Sequence, residues 1–235
     1  MNVCVFDLDG TLGHLRGGEA EDGNFVAAIH ETLGAIEVDS NWDAYAHVSD
    51  YGVVDELFRR HRDRPPTRDE HQAVCSAYLR RVRAAVERGE TRFELINGSA
   101  EAVRNLRAEH GWEVALATGG WRRTALYKLE LGGIDMNGRA QAFAEDGPSR
   151  ATIMQTALNR SRSANGRAFA RVVYVGDAAW DVRTCTHLAW PFVGIGDGER
   201  GERLRKLGAS HVLPDMSDLA AFVTALDEAR VPTPA

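Results

Sequence analysis

The apolar positions of the chain follow two different periods. Residues 3–6 (VCVF) form an unbroken apolar run with no polar residue in alternation. That pattern belongs to a strand buried on both faces, as in a parallel sheet. From residue 24 the period changes. Phe25, Val26, Ile29, Leu33 and Ile36 recur at helical spacing, with Asn24 placed as an N-cap. A second helix is expected from about Ser49, where Val53, Val54, Leu57 and Phe58 share a face; Pro65 and Pro66 stop it. Thr67 and Glu70 fit a capping box opening a third helix to about Arg88, with Val74, Tyr78, Val82 and Val86 on one face. The glycine- and charge-rich segment 13–24 (GHLRGGEAEDGN) reads as a loop, and no buried strand is expected between Leu12 and about Arg92.

After Phe93 helices and apolar strands alternate. Helix 99–109 precedes strand 114–118 (VALAT), and helix 122–131 precedes the short segment 141–144 (QAFA). Helix 149–160 leads to strand 171–177 (RVVYVGD), and helix 180–188 to strand 191–196 (PFVGIG). Helix 199–207 leads to a short strand at 211–213; helix 219–229 follows, and VPTPA (231–235) reads as a disordered tail. This succession predicts an α/β fold, a doubly wound parallel sheet with right-handed crossovers. Residues 1–12 and 93–230 would form that core, with 13–92 inserted as an α-helical cap.

Composition narrows the partners. The net charge is −6 and the basic residues are dispersed, which gives no nucleic-acid or acidic-membrane footprint. The densest basic stretch, 59–68 (RRHRDRPPTR), reads as a solvated helix end and turn. Cys4, Cys75 and Cys185 lie far apart with no CxxC pair, as buried reduced thiols of an intracellular protein would. The N-terminus lacks the pattern of a secretory leader, and no apolar run approaches the ~18 residues that span a bilayer. A cytoplasmic protein is expected.

Two carboxylates, Asp7 and Asp9, follow the first strand. In open α/β sheets ligands sit outside the carboxyl ends of strands. Asp-Gly is also a common turn pair, so a plain polar turn is the competing reading. Yet two like charges aimed at one locus repel unless a cation lies between them, and oxygen ligands of this kind suit Mg²⁺. A carboxylate can also accept a phosphoryl group, while a neighbouring carboxyl moves the protons.

DLDGTL (7–12) resembles the first motif of the haloacid dehalogenase-like (HAD) hydrolase superfamily, most of whose members are Mg²⁺-dependent phosphatases. The resemblance implies that Asp7 is the nucleophile and Asp9 the general acid and base. Thr118, followed by Gly119 and Gly120, resembles the second motif, in which a hydroxyl and backbone N–H groups hold phosphate oxygens. The third motif is a single Lys or Arg. Lys128 lies inside the helix after Thr118 and Lys206 beyond the last acidic motif, so neither matches. Arg150, at the start of the helix before strand 171–177, stands at the family's position, with Arg160 in reserve. GDAAWD (176–181) matches the fourth motif, which implies Mg²⁺ held by Asp7, Asp9 and Asp177. Asp181, one helical turn on, would support the metal's surroundings or the basic residue. The late segments PFVGIG and LGASHVL also resemble the family's. Two features depart from it: Arg replaces the commoner Lys, and the GHLRGG loop matches no known specificity pattern.

The insertion resembles the helical cap of phosphoglycolate-phosphatase-like members. The implied activity is phosphomonoester hydrolysis of a small phosphorylated metabolite through an aspartyl-phosphate. Asp9 argues against a dehalogenase, which lacks it. The family's phosphonate hydrolases use a cap lysine, which this insertion lacks; the same absence weakens the phosphomutase alternative without removing it. A phosphate- or partner-binding protein that kept the fold and lost turnover is the reading of another class. His14, Arg16, His47 and Tyr51 are candidate cap contacts. Neither nucleic acid nor membrane is expected as a partner, and monomer and homodimer both remain open.

Overall fold

The first apolar run forms β1 (Asn2–Phe6), and its lack of alternation follows from its having two covered faces. Cys4 and Phe6 pack into one apolar cluster, Val3 and Val5 into another on the opposite side, and all four are fully buried. The structure, a computed structural model, describes residues 1–17 and 20–233. Strand β2 (Gly13–Arg16) precedes helices α1 (Ala20–Leu33), α2 (Asp50–Arg62) and α3 (Arg68–Glu87), and β3 (Arg92–Leu95) follows them. The chain then alternates: α4 (Ser99–His110), β4 (Trp112–Ala117), α5 (Arg122–Leu131), β5 (Ala140–Ala142), α6 (Arg150–Asn165), β6 (Val172–Gly176) and α7 (Ala179–Leu188). It continues through β7 (Phe192–Ile195), α8 (Gly198–Lys206), β8 (His211–Leu213) and α9 (Leu219–Glu228).

Six strands pair in the order β5-β4-β1-β6-β7-β8, every pair parallel. Helices α4, α5 and α9 cover one face, and α6, α7 and α8 the other. The expected doubly wound α/β fold is therefore present. From β1 the chain builds outward through β4 and β5, then crosses back by α6 to β6 on the other side. Strand order thus reverses at β1, where open α/β sheets leave a crevice at the strands' carboxyl ends. Phe6 is in register with both Leu116 and Val175. Asp7 comes next, its N–H donating to the Val175 carbonyl at 2.9 Å. Thr118 and Asp177 lie just beyond the ends of the two flanking strands.

Helices α1–α3 gather a separate apolar cluster that includes Phe25, Ile29, Val54, Leu57, Val74 and Tyr78, and Trp121 completes it from the start of α5. Ser49 caps α2, accepting from Gly52 N–H, and Thr67 with Glu70 closes the expected capping box of α3. The N-terminus of α2 is tied to the loops at the strand ends. Ser49 Oγ donates to Pro148 O at 2.7 Å, Asp50 N–H to Gly119 O at 2.8 Å, and Trp121 N–H to Asp50 Oδ2 at 2.9 Å.

Three local expectations change. Asn24 is not an N-cap; it is buried inside α1, which is already helical at Ala20. Segment 13–16 is a strand, β2, paired antiparallel with β3. Four residues containing a glycine and a charge give too short an alternation to be read without their partner. Of the expected disordered tail 231–235, residues 231–233 are ordered, while 234–235 lie outside the described residues. Pro232 is buried, its carbonyl accepts from Thr186 Oγ1 at 3.3 Å, and Thr233 N–H donates to Gly208 O at 3.4 Å. Pro232 presets part of the backbone, which lowers the entropy lost on ordering it.

His71, within α3, stacks on Tyr51 with ring centroids 3.5 Å apart, and neither ring nitrogen has a hydrogen-bond partner among the described residues. Burial pushes the imidazole down to about 4, against the opposing pull of Asp55. In the unfolded chain it would take a proton near pH ~6.5. Between these values the unfolded state binds more protons, so stability falls as pH drops from about 6.5 towards 4. His71→Phe, which keeps the stack, should flatten that stretch in urea unfolding at stepped pH. An unchanged acid slope would contradict this account.

Candidate active site

A cavity of about 400 Å³ opens between α1–α3 and the carboxyl ends of β1, β4 and β6. Asp7, Asp9, Thr118, Gly119, Arg150 and Asp177 all line it. Asp181 is fully buried behind this wall. Of the four candidate cap contacts only His14 reaches the cavity. Arg16 bonds His14 Nε2 at 2.7 Å and Glu94 at 2.8 Å, His47 lines a neighbouring hollow, and Tyr51 is spent on the His71 stack.

Arg150 sits in the first turn of α6, after the Ser149 cap, where the helix dipole disfavours a cation. Its surroundings explain the placement. Nη2 donates to Asp7 Oδ2 at 2.8 Å and to Asp181 Oδ1 at 2.7 Å, and the residue is only 8% exposed. Burial works against the guanidinium's charge, but Asp7 and Asp181 outweigh it and hold Arg150 firmly protonated. Gly119 is required by this approach, since a Cβ there would lie 2.6 Å from Arg150 Nη1. Thr118 Oγ1 accepts from Gly120 N–H at 3.1 Å, which leaves the hydroxyl proton to point elsewhere.

Asp7, Asp177 and Asp181 bring carboxylate oxygens within 4.8 Å of one another. Burial raises Asp177 well above the usual carboxylate range, and Asp181 and Asp7 add to the effect. Burial also raises Asp181, against the pull of Arg150. One cationic side chain, Arg200, reaches Asp177 from the rim at 3.2 Å. Asp7 Oδ1 is buried with no hydrogen-bond partner among the described residues. An orphaned carboxylate oxygen facing two further acids is costly unless it serves a ligand. The donor set is all oxygen and crowded with negative charge, which fits Mg²⁺. Gly10 shapes the same corner: its φ is +80° and a Cβ would fall 2.1 Å from Asp177 Oδ2.

Asp9 stands apart from that trio. Its Oδ1 accepts from Lys128 Nζ at 2.8 Å, and Lys128 is only 2% exposed. Sequence reasoning set Lys128 aside because it lies inside a helix; the helix in fact points it at the site. The available signal was its company on α5, where Thr124, Ala125 and Leu129 share its buried stripe. A charge on such a stripe calls for a partner. Arg200 was also missed, and nothing in its surface-like surroundings in the sequence marks it. Arg160 lies elsewhere, paired with Asp146 at 2.6 Å.

The family model described as haloacid dehalogenase-like hydrolase matches residues 1–187. A comparison with curated proteins finds no match. Among solved structures, the chain resembles a hydrolase from Pseudomonas syringae at 20% identity and a TM-score of 0.66, covering 96% of this chain and 99% of that one. A β-phosphoglucomutase from Clostridium difficile gives 13% identity and a TM-score of 0.66, with 96% and 97% covered. A protein described as a predicted phosphoglycolate phosphatase from Haemophilus somnus gives 15% identity and a TM-score of 0.59, with 94% and 96% covered. At these identities the likeness is one of fold. Among the described residues no helix is long and apolar enough to cross a membrane.

Proposed function

Since the chain belongs to the haloacid dehalogenase-like hydrolases, we propose that it is a Mg²⁺-dependent phosphomonoesterase working through a phosphoryl group carried on Asp7. The observation that carries this reading is the state of Asp7. Arg150 fixes Oδ2, while Oδ1 is buried at the cavity floor without a hydrogen-bond partner among the described residues. A carboxylate held in this way is oriented for attack on phosphorus.

Asp7 attacks the phosphorus of a bound ester, and the bond from phosphorus to the ester oxygen breaks. Asp9, also on the cavity wall, gives a proton to the departing alkoxide and then takes one from the water that hydrolyses the aspartyl-phosphate. The Thr118 hydroxyl and the backbone around Gly119 receive the phosphoryl oxygens, and Arg150 balances their charge. Asp7 and Asp177 would hold Mg²⁺, with the Asp9 segment beside them and Asp181 steadying Arg150. When bound, the ion supplies charge neutralisation at the transferring phosphoryl group.

The outer wall of the cavity combines Phe25, Trp42, Val48, Val53 and Tyr78 with the polar His14, Asp22, Ser49 and Asp50. It suits an ester with a small organic part that offers hydroxyl groups and no further negative charge. The wall also bears on the phosphomutase alternative, which must grip a second phosphate. Among the described lining residues the only Lys or Arg side chains are Arg150 and Arg200, and both are engaged by carboxylates on the floor. That arrangement favours hydrolysis of a metabolite with one phosphate. A binding protein without turnover would have little use for Asp9 beside the nucleophile.

Hydrolysis of p-nitrophenyl phosphate and of a panel of small phosphorylated metabolites tests the reading. Release of phosphate should depend on added Mg²⁺ and vanish in excess EDTA. Activity untouched by EDTA would overturn the metal assignment, and no hydrolysis of any member would overturn the activity.

A further inference from the structure

Lys128 is one of two lysines in the chain, and the only one buried. It stands in the last turn of α5, with its ammonium 2.8 Å from Asp9 Oδ1 and 5.9 Å from the centre of the Tyr78 ring, which belongs to α3 and lines the cavity. We propose that Lys128 is a positioning residue that aims the Asp9 carboxylate at the ester oxygen of the substrate. The inference rests on the phosphatase reading above.

The backbone around Asp9 is fixed without Lys128. Gly10 N–H donates to Gly13 O at 2.9 Å and Leu12 N–H to Leu8 O at 2.9 Å, closing the turn after β1. The Asp9 side chain, 27% exposed, has two rotatable bonds above that turn. A carboxylate that must meet one oxygen of a substrate loses rate when it can swing away. Lys128 holds Oδ1, and Oδ2 lies toward Gly120, where an added Cβ would be 3.8 Å from it. α5 begins directly after Thr118, Gly119 and Gly120, so one helix sets both the phosphate loop and the orientation of the proton carrier. The contact with Tyr78 extends this alignment to the wall that faces the organic part of the substrate.

Stability alone explains this lysine poorly. Taking an ammonium out of water is expensive, and replacing a buried ion pair by apolar groups of similar size is often neutral or stabilising. A group kept at that cost, with its charge directed at a proposed acid and base, is better accounted for by function.

Lys128→Met fills the same space without charge. The Asp9 carboxylate it leaves behind is 27% exposed and can be met by water, so the melting temperature should stay close to that of the wild type. The kcat on alkyl phosphates should fall by about 30- to 100-fold, up to the lower end of the roughly 10²- to 10⁴-fold typical of general acid–base effects. On p-nitrophenyl phosphate, whose leaving group needs little protonation, the loss should stay below about fivefold. Asp9→Asn should show the same leaving-group bias more strongly. The double variant should be no slower than Asp9→Asn alone, because Lys128 acts only through Asp9. Lys128→Arg, which retains a cation, should recover part of the alkyl-phosphate rate. Equal losses on alkyl and aryl esters, or losses that multiply in the double variant, would overturn the role of Lys128 while leaving the phosphatase intact. A wild-type protein without phosphatase activity would overturn the reading beneath it, and this role with it.

Discussion

Asp7→Asn should remove turnover while leaving the fold in place. Asparagine has nearly the same shape, but its amide cannot form the aspartyl-phosphate, and its neutral oxygen accepts only weakly from Arg150. The expected loss in kcat is at least about 10⁴-fold, on the scale seen when a covalent nucleophile is deleted. Stability should change little, because two effects oppose each other. Arg150 loses one of its two anionic partners, while Asp177 and Asp181 lose a like charge within 4.8 Å. Steady-state kinetics with thermal unfolding checks both halves. A variant retaining more than about a hundredth of the wild-type rate would place the nucleophile elsewhere.

Arg150→Met should damage both activity and stability, and in this it differs from Asp7→Asn. Its guanidinium is the cation bonded to both Asp7 and Asp181, and removing it strands two carboxylates that are 3% and 0% exposed. Breaking a buried pair of this kind costs about 3–5 kcal/mol, largely from the unpaired charge left behind. Turnover should drop by roughly 10³-fold on every substrate alike, the effect of losing a preorganised phosphate contact together with the clamp on the nucleophile. Arg150→Lys should recover stability better than rate, since an ammonium lacks the planar fork. Arg160→Ala is the control: its side chain is 45% exposed and its partner is Asp146, away from the cavity. If Arg160→Ala were the crippling change and Arg150→Ala harmless, the phosphate grip would be misplaced by the length of α6.

The sequence could reveal the convergence of Asp7, Thr118 and Asp177 because all three follow directly on apolar runs, and parallel register does the rest. Strand ends in such a sheet are neighbours however far apart they lie in the chain. Arg150 was legible for a different reason. A cation in the first turn of a helix is locally unfavourable, and an unfavourable local choice points to a partner elsewhere. Lys128 and Arg200 escaped because their meaning depends on which way α5 and α8 are turned against the sheet, and that is fixed by tertiary packing. The β2–β3 ribbon was hidden by its shortness: Gly13 and Leu15 face inward, but two inward positions do not make a period. The ordering of 231–233 could not be seen either, since it depends on a distant partner in α7.

The most direct test of the account is to look for the phosphoryl group on Asp7 itself. Enzyme, Mg²⁺ and an alkyl phosphate are mixed and quenched in acid within a turnover, and the N-terminal peptide is analysed by mass spectrometry. The account predicts a phosphorylated peptide that forms and decays at the rate of turnover, carries its modification on Asp7, and persists longer in Asp9→Asn, where the water-activating base is gone. A peptide that stays unmodified at every time point while phosphate is released would contradict it.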